Sequence, residues 1–299
     1  MDSLLRGIRE DGSVRVVTAT TTELVREACR RQEARGVRAV ALGRAATAGC
    51  LLSTLAKNDQ ERVRIQLEGG GPIGRVIVDS RSNGRVRACF ERAPADAEPE
   101  PFALADGRPS IAAAVGRAGM VVVTRDLGLE NQYQGAVDIT SGEIDEDLQS
   151  YLDRSEQLPS ALTCDVVLDA HGRVLRAGGV LCQTLPGNDP AEIERIRETM
   201  GHGALHAVLQ HDRTPRELAS FAVGGSRVEA MGTRALVYHC PCGEATAIRV
   251  LSTLGADDLE ALAGEQDETE VRCHFCGNRY VVDAPRLREL ATTLRRGMS

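Results

Sequence analysis

The sequence predicts an α+β protein in three parts. These are an N-terminal mixed α/β core domain with twisted sheets (residues 1–187), a helical metastable linker (188–232) and a small C-terminal cysteine-bearing module (233–299). Three observations carry this reading. In the first part, strand and helix patterns follow one another without regular β-α-β alternation, which points away from a doubly wound parallel sheet. From Asn188 the patterning weakens to short stretches of marginal helix, rich in glycine and histidine. Near the C-terminus four of the nine cysteines gather into two tight pairs, Cys240-Pro-Cys242 and Cys273-His-Phe-Cys276, with 30 residues between the inner members.

Bulk properties set the frame. A chain of 299 residues is long enough for one large domain and one smaller one, each with its own core. Hydrophobic residues at 42% and charged residues at 26% are ordinary for a soluble globular protein. Aromatics make up 3% and tryptophan is absent, so the cores must rest on Ala, Val, Leu and Ile. The net charge of −7 argues against a general affinity for nucleic acid or anionic membranes. The segment Met1–Glu10 lacks the apolar core of a signal peptide. No stretch approaches the ~20 apolar residues of a membrane helix. The expectation is a cytoplasmic protein, in which clustered cysteines are metal ligands or redox sensors more often than structural disulfides.

Along the chain, Val14–Thr18 reads as a strand. A helix follows from Thr22 to about Arg35, capped by Thr21 or Thr22, with Leu24, Val25 and Ala28 on one face. An Ala-rich helix covers roughly Val37–Leu55, where Gly43 and Gly49 permit close packing. Alternation in Arg62–Leu67 puts Val63, Ile65 and Leu67 on one face of a half-buried strand. Gly69-Gly-Gly-Pro-Ile-Gly74 turns the chain back into Arg75–Val78. Those glycines match a dinucleotide-binding G-x-G-x-x-G, but that motif needs a helix after the loop to hold a pyrophosphate. A β-branched strand follows instead and Pro72 removes an amide donor, so a hairpin turn is expected. Met120–Thr124 and Tyr133–Ile139 read as strands. Ser141–Ile144 opens a helix carrying Ile144, Leu148, Tyr151, Leu152 and Ser155, which Pro159 stops. Strands near Ala161–Leu168 and Val174–Cys182 close the first domain at Leu185-Pro-Gly187.

Between Asn188 and Gly232, Ile193, Ile196 and Met200, then Leu205, His206 and Leu209, suggest two short helices. Segments this short are marginal alone and stay folded through what they pack against. His202 and His206 have the i, i+4 spacing of a metal clamp, but no carboxylate partner stands nearby in sequence. They are read as solvated linker residues.

The cysteine pairs have metal-ligand spacing. Thiolates bind zinc because the ion is borderline-soft and accepts a tetrahedral shell without electronic penalty, and two pairs fill that shell. The intervening residues fit a small module. Ala247–Leu254 is a helix stopped by Gly255, Asp257 or Asp258 caps a second helix with Leu259 and Leu262, and Glu270–Cys273 is a strand. Gly277 suits a left-handed turn, and a final amphipathic helix carries Leu287, Leu290 and Leu294. A module with so few large apolar groups needs the metal's folding energy. His239 and His274 stand beside the pairs as competing ligands, with surface placement as their default. A full four-cysteine shell leaves no open position for water, so hydrolytic chemistry is not expected. Cys29, Cys50, Cys89, Cys164 and Cys182 lie at least 18 residues apart and read as inert buried thiols.

An inert zinc staple is the plainest reading of the module. Oxidation offers a second, since zinc holds its sulfurs as thiolates, the reactive form. Each pair can close on its own neighbour, and the small Cys240-Pro-Cys242 ring would be strained and easily reduced again. Both bonds are local, so the metal's contribution to folding would be lost and the module would unfold. A linker docked on it would unfold as well.

With these residues in view, the chain resembles the bacterial heat shock protein 33 family of redox-regulated holdase chaperones over essentially its whole length. The resemblance rests on Tyr133-Gln-Gly135, Arg154-Ser-Glu-Gln-Leu-Pro159, Ala177-Gly-Gly179 leading to Leu185-Pro-Gly187, and the C-x-C pair followed by Cys273-His-Phe-Cys-Gly-Asn-Arg-Tyr280. It implies an ATP-independent chaperone, not an enzyme, with one zinc held by Cys240, Cys242, Cys273 and Cys276 in the reduced, inactive state. Under oxidative and unfolding stress it implies Cys240–Cys242 and Cys273–Cys276 disulfides, zinc release, linker unfolding and capture of unfolding client proteins, as a homodimer. No G-x-x-x-x-G-K-[ST] motif is present, consistent with an activity that needs no ATP. Two features depart from the family. Gly243-Glu-Ala-Thr246 stands where a Ser-x-Glu-Arg-like run is usual, and residues 186–232 carry only seven acidic side chains against five arginines. Both bear on the threshold and speed of activation, not on metal binding.

The alternative is a constitutive, zinc-stapled nucleic-acid-binding or interaction module. Residues 233–299 hold eight arginines and ten acidic groups, and four thiolates with one zinc take the net charge to about −4. That is the wrong sign for phosphate contacts. An enzyme built on the first domain has no supporting constellation of nucleophile, paired carboxylates or metal-binding histidines.

Overall fold

The structure is a computed structural model describing residues 1–55, 61–91, 102–103, 107–126, 132–157, 159–201 and 203–297. Leu158 of the Ser-Glu-Gln-Leu-Pro run and His202 lie outside the described residues. The chain divides into two units, Met1–His239 and Cys240–Ser299.

The first unit opens with β1 (Ser3–Arg9) and β2 (Val14–Thr20), then α1 (Thr22–Gln32) and α2 (Gly36–Leu52), which ends in a 3-10 turn at Ser53–Leu55. Next come β3 (Arg62–Glu68), β4 (Arg75–Arg81), β5 (Arg85–Glu91), the short β6 (Phe102–Ala103) and β7 (Pro109–Ser110), and α3 (Ala112–Val115). β8 (Met120–Asp126) and β9 (Tyr133–Asp138) precede α4 (Asp145–Tyr151), which runs into a π-helical turn at Leu152–Glu156. β10 (Ser160–Leu168) and β11 (Val174–Thr184) lead to α5 (Ala191–Met200), α6 (Ala204–Leu209), α7 (Pro215–Ala222), β12 (Val228–Ala235) and β13 (Val237–Tyr238). The second unit contains α8 (Glu244–Leu251), α9 (Ala256–Glu265), β14 (Glu268–Arg272), β15 (Arg279–Asp283) and α10 (Ala284–Gly297).

Two sheets organise the first unit, in the orders β10-β11-β2-β1-β12 and β13-β5-β4-β3-β8-β9. All pairings are antiparallel except β13 with β5. α2 packs on β10 and β11 of one sheet and on β4 and β5 of the other. A helix covered on opposite sides must be apolar all round, which explains its alanines. Gly43 and Gly49 set the spacing. A Cβ on Gly43 would lie 2.5 Å from Val166 Cγ2, and one on Gly49 would lie 2.7 Å from Val78 Cγ1. The other face of the five-stranded sheet is covered by α5–α7. Leu5, Val14, Val16, Val180 and Cys182 meet Ile193, Ile196, Met200, Leu205, Leu209 and Leu218 there. β2 therefore buries both faces, with Val14 and Val16 on one side and Val17 and Ala19 on the other.

The mixed α+β core expected from sequence is what the structure contains, with several local differences. The Gly69–Gly74 turn joins antiparallel β3 and β4, as a hairpin requires. α1 stops at Gln32 because Glu33 turns left-handed (φ 52°), and Thr21 hydrogen-bonds Thr47 (2.7 Å) rather than capping the helix. α4 begins at Asp145, since the fully buried Ile144 has φ 54° and stands outside it. The segment 188–232 holds a third helix and a strand beyond the two helices expected. α7 starts at a capping box in which Thr214 and Glu217 bond each other's backbone amides, with Pro215 in the first turn. β12 pairs with β1, a strand that the sequence pattern does not predict.

Candidate metal centre

Two chain segments of the second unit deliver the four sulfurs. Cys240-Pro-Cys242 precedes α8, whose first turn follows the extended Gly243. Cys273–Cys276 lies in the turn between β14 and β15, which pair in register from Glu268↔Asp283 to Arg272↔Arg279. There the Cys273 amide donates to the Asn278 carbonyl (2.9 Å) and the Gly277 amide donates to the Cys273 carbonyl (2.8 Å). Gly277 closes this knuckle at φ 71°, a conformation glycine adopts without penalty.

The sulfurs of Cys240, Cys242, Cys273 and Cys276 all lie within 4.8 Å of one another. Cys240 and Cys273 stand 3.7 Å apart, and Cys242 and Cys276 3.1 Å apart. A tetrahedral zinc shell with bonds of about 2.3 Å has sulfur–sulfur edges of about 3.8 Å. Donor type, number and spacing thus fit a four-thiolate tetrahedral ion. Cys276 is buried and the other three are partly accessible, a placement suited to attack by a small oxidant.

The sulfurs are electrostatically unequal. Desolvation works against charge on Cys242, yet hydrogen bonds from Tyr280 and the neighbouring cysteines bring its thiol down to about 7. Tyr280 Oη donates to Cys242 Sγ at 3.2 Å. Cys276 moves the other way, raised by burial and by its hydrogen bonds to the other sulfurs. Without the metal, charge is favoured on Cys242 over Cys276. The sequence pattern assigns Tyr280 no role. Tyr280 stands two residues before the buried Val282, so alternation puts both on the same face of β15, opposite the exposed Arg279 and Val281.

Neither histidine beside the pairs joins the donor cluster. The His239 amide donates to the Val86 carbonyl (2.8 Å), and the His274 side chain is exposed. The five remaining cysteines are all buried. Burial pushes Cys29 and Cys182 up to about 12 and raises Cys50 and Cys164 further. His206 departs from its expected solvated state: its side chain is 13% exposed and its Nδ1 lies 2.8 Å from Asp165 of β10. Sequence distance hid this partner, 41 residues away.

Comparison with known proteins agrees with the site. The family model described as "Hsp33 protein" matches residues 2–283. The chain belongs to the Hsp33 family. It is 38% identical over 294 residues to the 33 kDa chaperonin of Geobacter sulfurreducens, covering 98% of this chain and 96% of that one. The 33 kDa chaperonin of Bacillus cytotoxicus is 33% identical over 294 residues, with 98% and 99% covered. The crystal structure of the 33 kDa chaperonin of Thermotoga maritima matches with a TM-score of 0.83 and 30% identity, covering 97% and 98%. Hsp33 proteins are redox-regulated chaperones and not enzymes. Membership and the four-cysteine cluster together support a redox-regulated chaperone function that engages client proteins. Among the described residues no helix is long and apolar enough to cross a membrane.

Proposed function

We propose that this protein is an ATP-independent holdase switched on by oxidation of Cys240, Cys242, Cys273 and Cys276. The observation that carries the reading is the convergence of those four sulfurs within 4.8 Å, in a chain of the Hsp33 family. In the reduced state the four cysteines hold one zinc ion and the protein is inactive. When bound, the metal keeps the sulfurs as thiolates and contributes on the order of 10–16 kcal/mol of apparent folding free energy. The module's apolar core is slight: Leu251, Leu259, Val282 and Leu287 with three alanines. It depends on that contribution.

Oxidation closes Cys240–Cys242 and Cys273–Cys276. Each disulfide takes two electrons from a thiolate pair; one peroxide accepts them with two protons from solvent and becomes two waters, and the metal loses its ligands. The thiolate is the form that attacks, so the shell that stores the four sulfurs also keeps them in the reactive state. Both new bonds are local, so they do not replace the folding energy of the metal shell. The module (233–299) unfolds, the linker (188–232) follows, and apolar surface of the substrate-binding and dimerisation domain (1–187) becomes available to unfolding proteins. The active form is a homodimer working in the cytoplasm.

The test is aggregation of a heat-unfolding client, followed by light scattering with the reduced, zinc-loaded protein and with the same protein after peroxide or hypochlorite and mild heat. Suppression by the oxidised form alone is expected. Failure of the oxidised, zinc-free protein to slow any client would end the proposal.

A further inference from the structure

A buried ionic cluster inside the first unit has no part in the cysteine chemistry. At its centre is Arg44, in the middle of α2 and fully buried. Its Nε and Nη2 donate to Asp165 Oδ1 (3.0 and 2.8 Å), its Nη1 to Glu143 Oε2 (2.7 Å), and its Nη2 also to the Pro109 carbonyl (2.9 Å). Alongside, Arg108 Nη2 donates to Asp145 Oδ1 (2.5 Å), while Asp145 Oδ2 accepts from the Cys164 amide (3.2 Å). Ile144, between Glu143 and Asp145, is held at φ 54°. A β-branched residue pays for that conformation, so the surrounding contacts must over-determine it.

The balance of this cluster is incomplete without α6. Glu143, Asp145 and Asp165 are three carboxylates facing two guanidinium groups. Asp165 Oδ1 is fully engaged, accepting Arg44 twice and the Val166 amide (2.8 Å). Its Oδ2 is met by His206 Nδ1 (2.8 Å), which comes from α6. The ring is held from behind as well, with its Nε2 3.0 Å from the Gln210 side-chain amide. With Nδ1–H donating to the carboxylate, Nε2 is the acceptor for that amide. A cavity of about 360 Å³ bounded by Arg108, Asp145, Asp165, Arg197, Met200 and His206 lies beside the pair.

The other contacts of α5–α7 with the sheet are largely apolar, and apolar contact is non-directional. Polar contacts pin the segment too, Arg197 donating to the Ser160 carbonyl (2.9 Å), Arg176 to the Gln210 carbonyl (2.9 Å) and Arg9 pairing with Glu192, but among the described residues the His206 bond is the one that α5 and α6 make to a fully buried carboxylate. If α6 lifts away, Asp165 stays behind as a buried charge with one oxygen stripped of its donor, a costly state for an ionised group. The cavity is the path by which water would have to replace the ring.

We propose that the Asp165–His206 pair is a latch that holds the α5–α6 segment on the core sheet, so that this segment opens only when the pair breaks. The consequence for activity rests on the holdase reading above; the latch itself is a statement about local opening. It gives the chain a second point of control, remote in sequence from the cysteines.

The test uses the full-length, reduced, zinc-loaded protein and hydrogen exchange of residues 191–209 in wild type, His206→Ala and His206→Asn. Asparagine places an amide donor near the position of Nδ1. In His206→Ala, exchange in α5 and α6 should rise tenfold or more, with zinc content and exchange in β1 and β2 unchanged, and His206→Asn should restore part of the protection. Exchange in His206→Ala within twofold of wild type overturns the latch. Equal loss in both variants also overturns it, because packing rather than the donor would then hold the helix. If exchange rises as expected and the oxidised, zinc-free wild type suppresses no aggregation, the latch stands and the holdase reading falls.

Discussion

Cysteine plays opposite parts in the two units of this molecule. In Met1–His239 the thiols of Cys29, Cys50, Cys89, Cys164 and Cys182 are buried, and burial drives those of Cys29 and Cys182 up to about 12. They behave as small apolar side chains. In Cys240–Ser299 the sulfurs face one another, three are partly accessible, and against the cost of desolvation, hydrogen bonds from a tyrosine hydroxyl and the other sulfurs bring Cys242 down to about 7. The units also differ in what surrounds the sulfurs. The first has a helix packed between two sheets and a second helical layer; the second has a core in which alanines are nearly half. A large core makes cysteine inert and needs nothing from it. A small core makes cysteine the source of stability, and its oxidation state then governs folding.

Metal removal should separate the two regions most sharply. Chelation of the reduced protein is expected to abolish hydrogen-exchange protection across α8–α10, a loss on the order of 10–16 kcal/mol, while β1–β5 keep theirs. Uniform loss across both units would break the contrast. Single substitutions sharpen it. Cys276→Ser should lower zinc affinity by more than the ~10–100-fold typical of an outer-shell partner, whereas Cys182→Ala should leave zinc content untouched; competition with a chromogenic chelator reads both. Tyr280→Phe, which removes only the hydroxyl donor to Cys242, is expected to fall within that ~10–100-fold range.

Acid protonates the thiolates of the second unit, and in the first unit it probes the buried Asp165. Burial opposes charge on Asp165, but Arg44 and His206 outweigh it and hold the carboxyl at about 2, below its ordinary value of 3.8. A lowered group stabilises the fold above its unfolded value and loses that contribution as pH falls through the folded one. Roughly 2 kcal/mol should therefore disappear between about pH 4 and pH 2, visible as a falling urea midpoint. Gly43→Ala acts on the same core by packing. Its methyl would sit 2.5 Å from Val166, so a loss of ~1–3 kcal/mol is expected in thermal unfolding.

Where sequence reasoning succeeded, a local pattern matched a local cause. Val63, Ile65 and Leu67 alternate because β3 has one buried face, and the Ala-rich run of α2 is helical and buried all round. The four cysteines were legible because two short spacings needed only a hairpin and a helix start to bring them together. The misses share a different origin. β1 has a buried pattern broken by Arg6 and Gly7, where its register with β12 shifts, so alternation is blurred. β12 is exposed over most of its length and carries no apolar stripe. α7 was signalled by Thr214-Pro-Arg-Glu217, a capping box that went unread behind the histidines and glycines around it. Asp165, Arg44 and His206 meet from three separate elements, and no spacing along the chain announces such a meeting.

The most direct test counts zinc and thiols together on one sample before and after peroxide with mild heat, with the thiols read in denaturant. The account predicts nine free thiols and one zinc at the start, then five thiols and no bound zinc, with peptide mapping placing the two disulfides at Cys240–Cys242 and Cys273–Cys276. Loss of four thiols with zinc retained, or loss drawn from the five buried cysteines, would contradict it.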